Sequence, residues 1–143
     1  MKKFIIIIVL FTLYGETFAR VEYKGKFYRT REIGETEWLI QDLGGNGMGY
    51  KWNTAKNICP KGWHLPSNNE WRELNEIMKE DRRLFEDFVR NSSNHWWSST
   101  SQTLRYAHLW FSIPTHVELG SNNLADKLNE YSVRCVKTKA PEP

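Results

Sequence analysis

The sequence predicts an α+β domain, and three observations carry that reading. Residues 21–43 are rich in β-formers. Residues 67–78 hold a capping signal followed by an apolar stripe at helical spacing, and residues 95–138 return to short β-rich runs. Strands first, helices in the middle and antiparallel strands last differ from the regular alternation of an α/β chain. At 143 residues the chain is expected to form one domain.

The elements follow in chain order. "VEYKGKFYRTREI" (21–33) reads as two β-runs around a tight turn at Lys24–Lys26. "GET" turns the chain into a strand over 37–43, where Trp38 and Ile40 alternate with Glu37, Leu39 and Gln41. "GGNGMGY" (44–50) has four glycines in seven residues and must be a loop. A short helix is expected over 53–59, with Asn53 as its N-cap, and Pro60 stops it. Pro60 and Gly62 break the chain, "WHL" is extended, and Pro66 ends it. Ser67 and Glu70 then form a capping box, each side chain able to bond the other residue's free backbone amide. Trp71, Leu74, Ile77 and Met78 form the apolar face, and Arg72, Glu73, Glu76 and Lys79 the charged one. Leu84, Phe85, Phe88 and Val89 predict a second helix, ended by "NSSN" (91–94), which contains the glycosylation sequon Asn91-Ser92-Ser93. Strands are expected at 95–100, 105–113, 116–119 and 131–138, with a turn at 120–123 inside a polar loop over 121–130. "KAPEP" (139–143) is expected to fray as a disordered tail.

The first 19 residues read as a secretory signal peptide. Lys2 and Lys3 precede the apolar run 4–15, and "TFA" ends in the small residue at which cleavage is expected. The run is shorter than the about 20 residues a spanning helix needs, so no stable membrane span is expected after cleavage. The domain then covers 20–138 and is secreted, periplasmic or on the cell surface. Removing 1–19 takes two lysines and one glutamate from a chain of net charge +3, leaving +2. Basic and acidic residues are interspersed, with no basic stripe of the kind a nucleic-acid partner requires. All seven tryptophans fall in the domain, so aromatic packing should supply much of its burial.

Cys59 and Cys135 are the only cysteines. Outside the cytoplasm two cysteines most simply pair. The alternatives are free thiols, or a metal held by Cys59 and His64, for which a four-ligand structural site lacks its remaining members.

"EIGETEWLIQDL", the glycine-rich loop, "YKWNTAKNICPKGWHLPSNNEWREL", "WWSST" and "YSVRCVK" in this order resemble the Fibrobacter succinogenes major paralogous domain. The resemblance runs roughly from Arg31 to Lys137. It implies a secreted or surface protein. Through the relation of that family to the C-type-lectin-like superfamily, it also implies two main helices flanking a small twisted antiparallel sheet. It implies a Cys59–Cys135 disulfide, and it makes Trp63, His64, Pro66, Ser67, Glu70 and Trp71 a structural motif. Residues 80–95 depart from the family pattern, because a helical stretch replaces a glycine-rich segment. The sulfatase-modifying relatives act through reactive cysteines, and no second pair exists here to carry that activity over.

The remaining chemistry is sparse. His64 lies between Trp63 and Leu65, and no carboxylate orienter or nucleophile can be assigned to it, so it reads as a buried, hydrogen-bonded structural histidine. Ser98, Ser99 and Thr100 lack an activating base and a nucleophile elbow. Trp63 and Trp71 read as core. Trp96 and Trp97 are adjacent, so in a strand they point to opposite faces. One is expected in the core and the other exposed, making the pair the aromatic candidate for ligand contact. Asn122, Asn123 and Asp126 are the polar candidates, in a loop with oxygens enough for calcium but without the lectin calcium triplets. No catalytic residue, metal or cofactor is expected. The expected function is a non-catalytic binding module for a glycan or protein partner. The alternative is a structural component of a cell-surface assembly, and an enzyme with an unrecognised site comes third.

Overall fold

A computed structural model describes Thr12–Leu13, Glu16–Thr17 and residues 19–113 and 115–138. Most of the leader segment and the whole 139–143 tail lie outside the described residues. The strands are β1 (Thr12–Leu13), β2 (Glu16–Thr17), β3 (Ala19–Tyr23), β4 (Lys26–Ile33), β5 (Thr36–Leu39), β6 (His95–Ser101), β7 (Tyr106–Ser112), β8 (Leu119–Asp126) and β9 (Val136–Thr138). The helices are α1 (Trp52–Ala55), α2 (Asn68–Lys79) and α3 (Arg82–Val89). β1 and β2 pair with each other, β3-β4-β5-β9 form one sheet, and β6-β7-β8 form another, every pairing within them antiparallel.

This architecture corrects the expected C-type-lectin-like α+β arrangement. Among the described residues the fold is mostly β, with two main antiparallel sheets and three short helices, not two main helices flanking one sheet. Two local features produce the difference. The N-terminal β-rich run gives two full strands joined by a turn with Lys24 and Gly25 at positive φ, and β5 then extends the same sheet. Residues 119–126 form β8, not the expected turn and polar loop. Their polar side chains face solvent, while Leu119 and Ala125 are buried and the backbone pairs with β7. Only the two ends of β8 reach the core, with 121–124 exposed between them, so the backbone pairing with β7 is what holds "LGSNNLAD" as a strand. Residues 116–118, expected in a strand, are bends before β8 begins.

The helices differ in how well local signals account for them. α2 is capped as the sequence predicts: Ser67 Oγ accepts from the Glu70 amide, and the Glu70 carboxylate accepts from the Ser67 amide. α3 is capped by Asp81, whose Oδ1 accepts from the Leu84 amide. α1 is a single turn starting at Trp52 with no side-chain cap, so the expected Asn53 cap is not made. α2 and α3 do not flank a sheet. They share one core with residues of both sheets: Trp71, Leu74 and Met78 of α2 and Leu84, Phe85 and Phe88 of α3 meet Trp38, Trp96 and Trp110. In that core Trp71 stacks between Trp96 (5.8 Å) and Trp110 (6.2 Å), and Trp38 meets it edge-on at 4.9 Å.

A second core gathers Tyr28, Leu39, Leu43, Trp52, Leu65, Trp97, Leu109, Val133 and Cys135. Having two cores explains why strict alternation fails. Trp38 and Ile40 enter the first core and Leu39 the second, so three consecutive residues are buried. Trp96 and Trp97 divide in the same way and both are fully buried, which corrects the expectation of one exposed ring. Neighbouring strand residues do point to opposite faces; here both faces are covered.

The last segment is less regular than the expected 131–138 strand. Only Val136–Thr138 is β9, while Tyr131 and Ser132 make isolated bridges to Tyr50 and Trp96. Between them Arg134 is wholly buried. Its Nε donates to Asp42 Oδ1 (2.7 Å) and its Nη2 to the Phe88 carbonyl (2.9 Å). Asp42 also accepts from Trp96 Nε1 (2.8 Å) and the Ser93 amide (2.8 Å). Arg134 Nη1 has no hydrogen-bond partner among the described residues, and the guanidinium lies 4.4 Å from the Phe88 ring centre. Burial pulls the Arg134 pKa down and Asp42 opposes it.

Candidate functional site

The residues singled out in the sequence do not come together as a site. Cys59 and Cys135 are disulfide-bonded, 76 residues apart in sequence, tying the segment after α1 to the strand-like run before β9. Trp71 is fully buried and Trp63 partly buried against the second core. Pro66 is buried, and its carbonyl accepts from the Ser99 amide. His64 is hydrogen-bonded as expected but not buried: its side chain is 46% exposed. Its backbone bridges Val136, which holds the ring at the surface, and Nε2 lies 2.9 Å from both Glu70 carboxylate oxygens. The imidazole thus braces the capping box.

Asn122, Asn123 and Asp126 lie on the exposed strand β8, and Trp96 and Trp97 are buried, so the five share no open face. Asn122 Oδ1 accepts from the Leu124 amide. Asp126 accepts from the Leu128 amide and from Arg105 Nε, and these bonds, the first larger, hold its carboxyl below the usual range. Among the described residues no three His, Cys, Asp or Glu side chains converge as a metal set.

A second histidine has a clearer physical signature. His108 Nδ1 accepts from Asn68 Nδ2 (2.7 Å), and its Nε2 donates to Gln102 Oε1 (3.0 Å), while Asn68 Oδ1 accepts from Trp110 Nε1. Burial first, then the charge of Arg72, lowers the His108 pKa from its ordinary value near 6.5. A depressed folded pKa means that the unfolded chain binds the proton more readily. This contribution to stability is therefore complete above about pH 6.5 and is lost as pH falls toward the lower folded value. Urea midpoints measured across that window should fall with pH, and His108→Gln should flatten that part of the profile. Superimposable profiles would assign the dependence elsewhere.

One open cleft lies around the glycine loop. Of about 370 Å³, it is lined by Tyr23, Tyr28, Tyr50, Met48, Ile58 and Leu43, with Lys24 and Lys26. The tyrosines come from β3, β4 and the end of the loop, and each hydroxyl is tied to backbone. Tyr23 donates to the Ile58 carbonyl (2.8 Å), Tyr50 donates to the Leu43 carbonyl (3.2 Å), and Tyr28 accepts from the Gly44 amide (3.0 Å). Burial, with Tyr28 and Tyr23 adding to it, raises the Tyr50 pKa, so its hydroxyl stays a donor. Gly44 has φ +82°, and a Cβ there would overlap the Tyr50 hydroxyl, so the close approach of loop and ring requires glycine. A second cavity, of about 260 Å³, shares Lys26 and Tyr28 with the cleft and adds Phe27, Arg29, Asp42, Asn46 and Arg90.

Sequence reasoning read "GGNGMGY" only as a loop and missed this cleft. The available signal was three tyrosines and two lysines placed around two glycine turns, at 24–26 and 44–50.

The fold and cleft define a small, disulfide-stapled, β-rich domain with an aromatic recess beside a glycine loop. More particularly, the chain belongs to the Fibrobacter succinogenes major domain family, whose model matches residues 14–95. The match includes the glycine loop, the opening half of the disulfide and α2. No curated protein and no solved structure shows significant similarity to the chain.

Proposed function

We propose that this chain is a secreted or surface-exposed, non-catalytic binding module whose ligand is a glycan or a protein segment. The observation that carries the reading is the cleft of Tyr23, Tyr28 and Tyr50. Its rings are held by hydroxyl–backbone bonds, with lysines at its margin. Tyr28 is buried beneath the cleft, while the partly exposed rings of Tyr23 and Tyr50 offer contact area at little cost in entropy, and saccharide C–H faces and peptide side chains both pack on such rings. A binding role also accords with the histidine geometry, in which His64 braces a helix cap and His108 joins an amide network. The Cys59–Cys135 bond supports a location outside the cytoplasm, since disulfides persist there. No helix among the described residues is long and apolar enough to cross a membrane.

The test is a glycan array and a peptide array, each probed with the folded chain. Selective binding in one of them is expected. Tyr23→Ala, at a partly buried edge-strand position, should weaken it by about tenfold while leaving the circular dichroism unchanged. Two blank arrays would end this reading.

The second reading, a structural component of a cell-surface assembly, is favoured by Leu104 and Leu128. Both are largely exposed, and the neighbouring Lys127 amide bonds the Arg105 carbonyl, so the two leucines lie at one end of the β7–β8 pair. A stable multimer in analytical ultracentrifugation would select it.

A further inference from the structure

We infer that the ligand of this module is an acidic glycan, whose carboxylate or sulfate sits in the cavity beside the aromatic cleft. This inference rests on the binding reading above and assigns its chemical class.

The argument is one of charge. Lys26, Arg29 and Arg90 line the cavity, and Asp42 is the single carboxylate among its lining residues. That carboxylate is already matched. Arg134 bonds it at 2.7 Å, and its oxygens also accept from Trp96 and the Ser93 amide. It therefore cancels Arg134 and adds no net negative charge to the wall. Arg29 shares its charge with Asp87 at 3.4 Å. Lys26 donates to the Gly44 carbonyl at 3.0 Å, one of the three protons an ammonium carries. Arg90 is exposed and forms no ion pair among the described residues. The neighbouring cleft adds Lys24 and contains no carboxylate at all. A surface nearly balanced in overall charge thus gathers Lys24, Lys26 and Arg90, with the Asp87-paired Arg29 beside them, around two joined recesses, which focuses a positive potential there.

Shape selects a glycan within the class of anions. The two recesses meet along Lys26 and Tyr28. Each is close to the lower end of the about 300–1,000 Å³ of small-ligand sites, so each suits about one ring of a chain, not a large head group. Tyrosines line one recess and the 53%-exposed Phe27 lines the other. Alternating aromatic walls and cations match a saccharide with apolar ring faces and one acidic substituent. A bare phosphate would use the cations and leave the aromatic wall idle.

The experiment measures binding of the folded chain to four probes by calorimetry: oligogalacturonate, its full methyl ester, a heparin oligosaccharide and a neutral cello-oligosaccharide. Binding to oligogalacturonate or heparin is expected, with loss of at least tenfold on esterification or in the neutral probe. Lys26→Gln and Arg90→Gln should each weaken the acidic probe about tenfold, the size of one charge-assisted hydrogen bond. Lys61→Gln, which removes the same charge at an exposed residue that lines neither recess, should leave it unchanged. Equal binding of ester and acid would overturn the acidic assignment while leaving a glycan-binding module. Failure of both acidic probes overturns the inference whether or not the peptide array responds, and a peptide response alone would keep the broader reading. Equal weakening by Lys61→Gln would reduce the effect to net charge and also overturn it.

Discussion

Replacing Asp42 with asparagine should destabilise the chain by about 3–5 kcal/mol, the range for breaking a buried ion pair from one side. Both members are essentially inaccessible, so solvent screens neither charge. Removing the carboxylate strands the Arg134 guanidinium, which stays protonated at any ordinary pH. It already has one nitrogen without a hydrogen bond, and although the amide oxygen can still accept a bond, no charge would oppose the cation, whose other partners are the Phe88 carbonyl and the Phe88 and Trp96 rings. Trp96 and the Ser93 amide would lose an ionised acceptor at the same time. Urea unfolding followed by tryptophan fluorescence would measure the cost. The double variant Asp42→Leu/Arg134→Leu should recover a large part of it, because an apolar pair carries no desolvation penalty. A single-variant loss below about 1 kcal/mol would mean that solvent reaches the pair.

Cys59→Ser/Cys135→Ser should produce the second large loss. Closing a loop with a sequence separation of 76 corresponds to about 4.5 kcal/mol in the chain-entropy model, an upper value. The bond also anchors a buried segment. The Cys135 carbonyl accepts from the Leu39 amide, and Val136 exchanges backbone bonds with His64. The denatured chain should expand when the link is cut, so the urea m-value should rise as the midpoint falls. An unchanged midpoint would show that the packing around Cys135 holds the segment unaided.

The α2 cap was legible because it is local. Ser67 and Glu70 act across three residues, and nothing distant competes for their bonds. The family likeness was legible for a related reason, since breakers, cap and tryptophans stand in fixed order along the chain. β8 was not legible. Its asparagines and serine give a turn composition, and only the presence of β7 beside it makes a strand of them. The Trp96–Trp97 pair misled for a different reason. Periodicity states that two neighbouring side chains point apart, and it is silent on whether both faces will be covered. The candidate site was the least legible part. Lys24, Lys26 and Arg29 stand in a run over 23–31 that holds no acid, but Arg90 is distant in sequence, and its place beside them depends on α3 ending next to β4 and the glycine loop.

What this chain carries in its residue order alone is local: turns at its glycines, the capped α2, the two cysteines suited to a bond, and the family signature. What the tertiary structure decided is everything that depends on pairing across distance: two main sheets instead of one flanked sheet, two cores that bury both faces of β5 and β6, and the Asp42–Arg134 pair joining residues 92 apart. The physical reason is the range of the forces involved. Caps and turns are settled by hydrogen bonds within one turn of chain. Burial and charge compensation depend on which surfaces meet, and that is known only once the chain has folded.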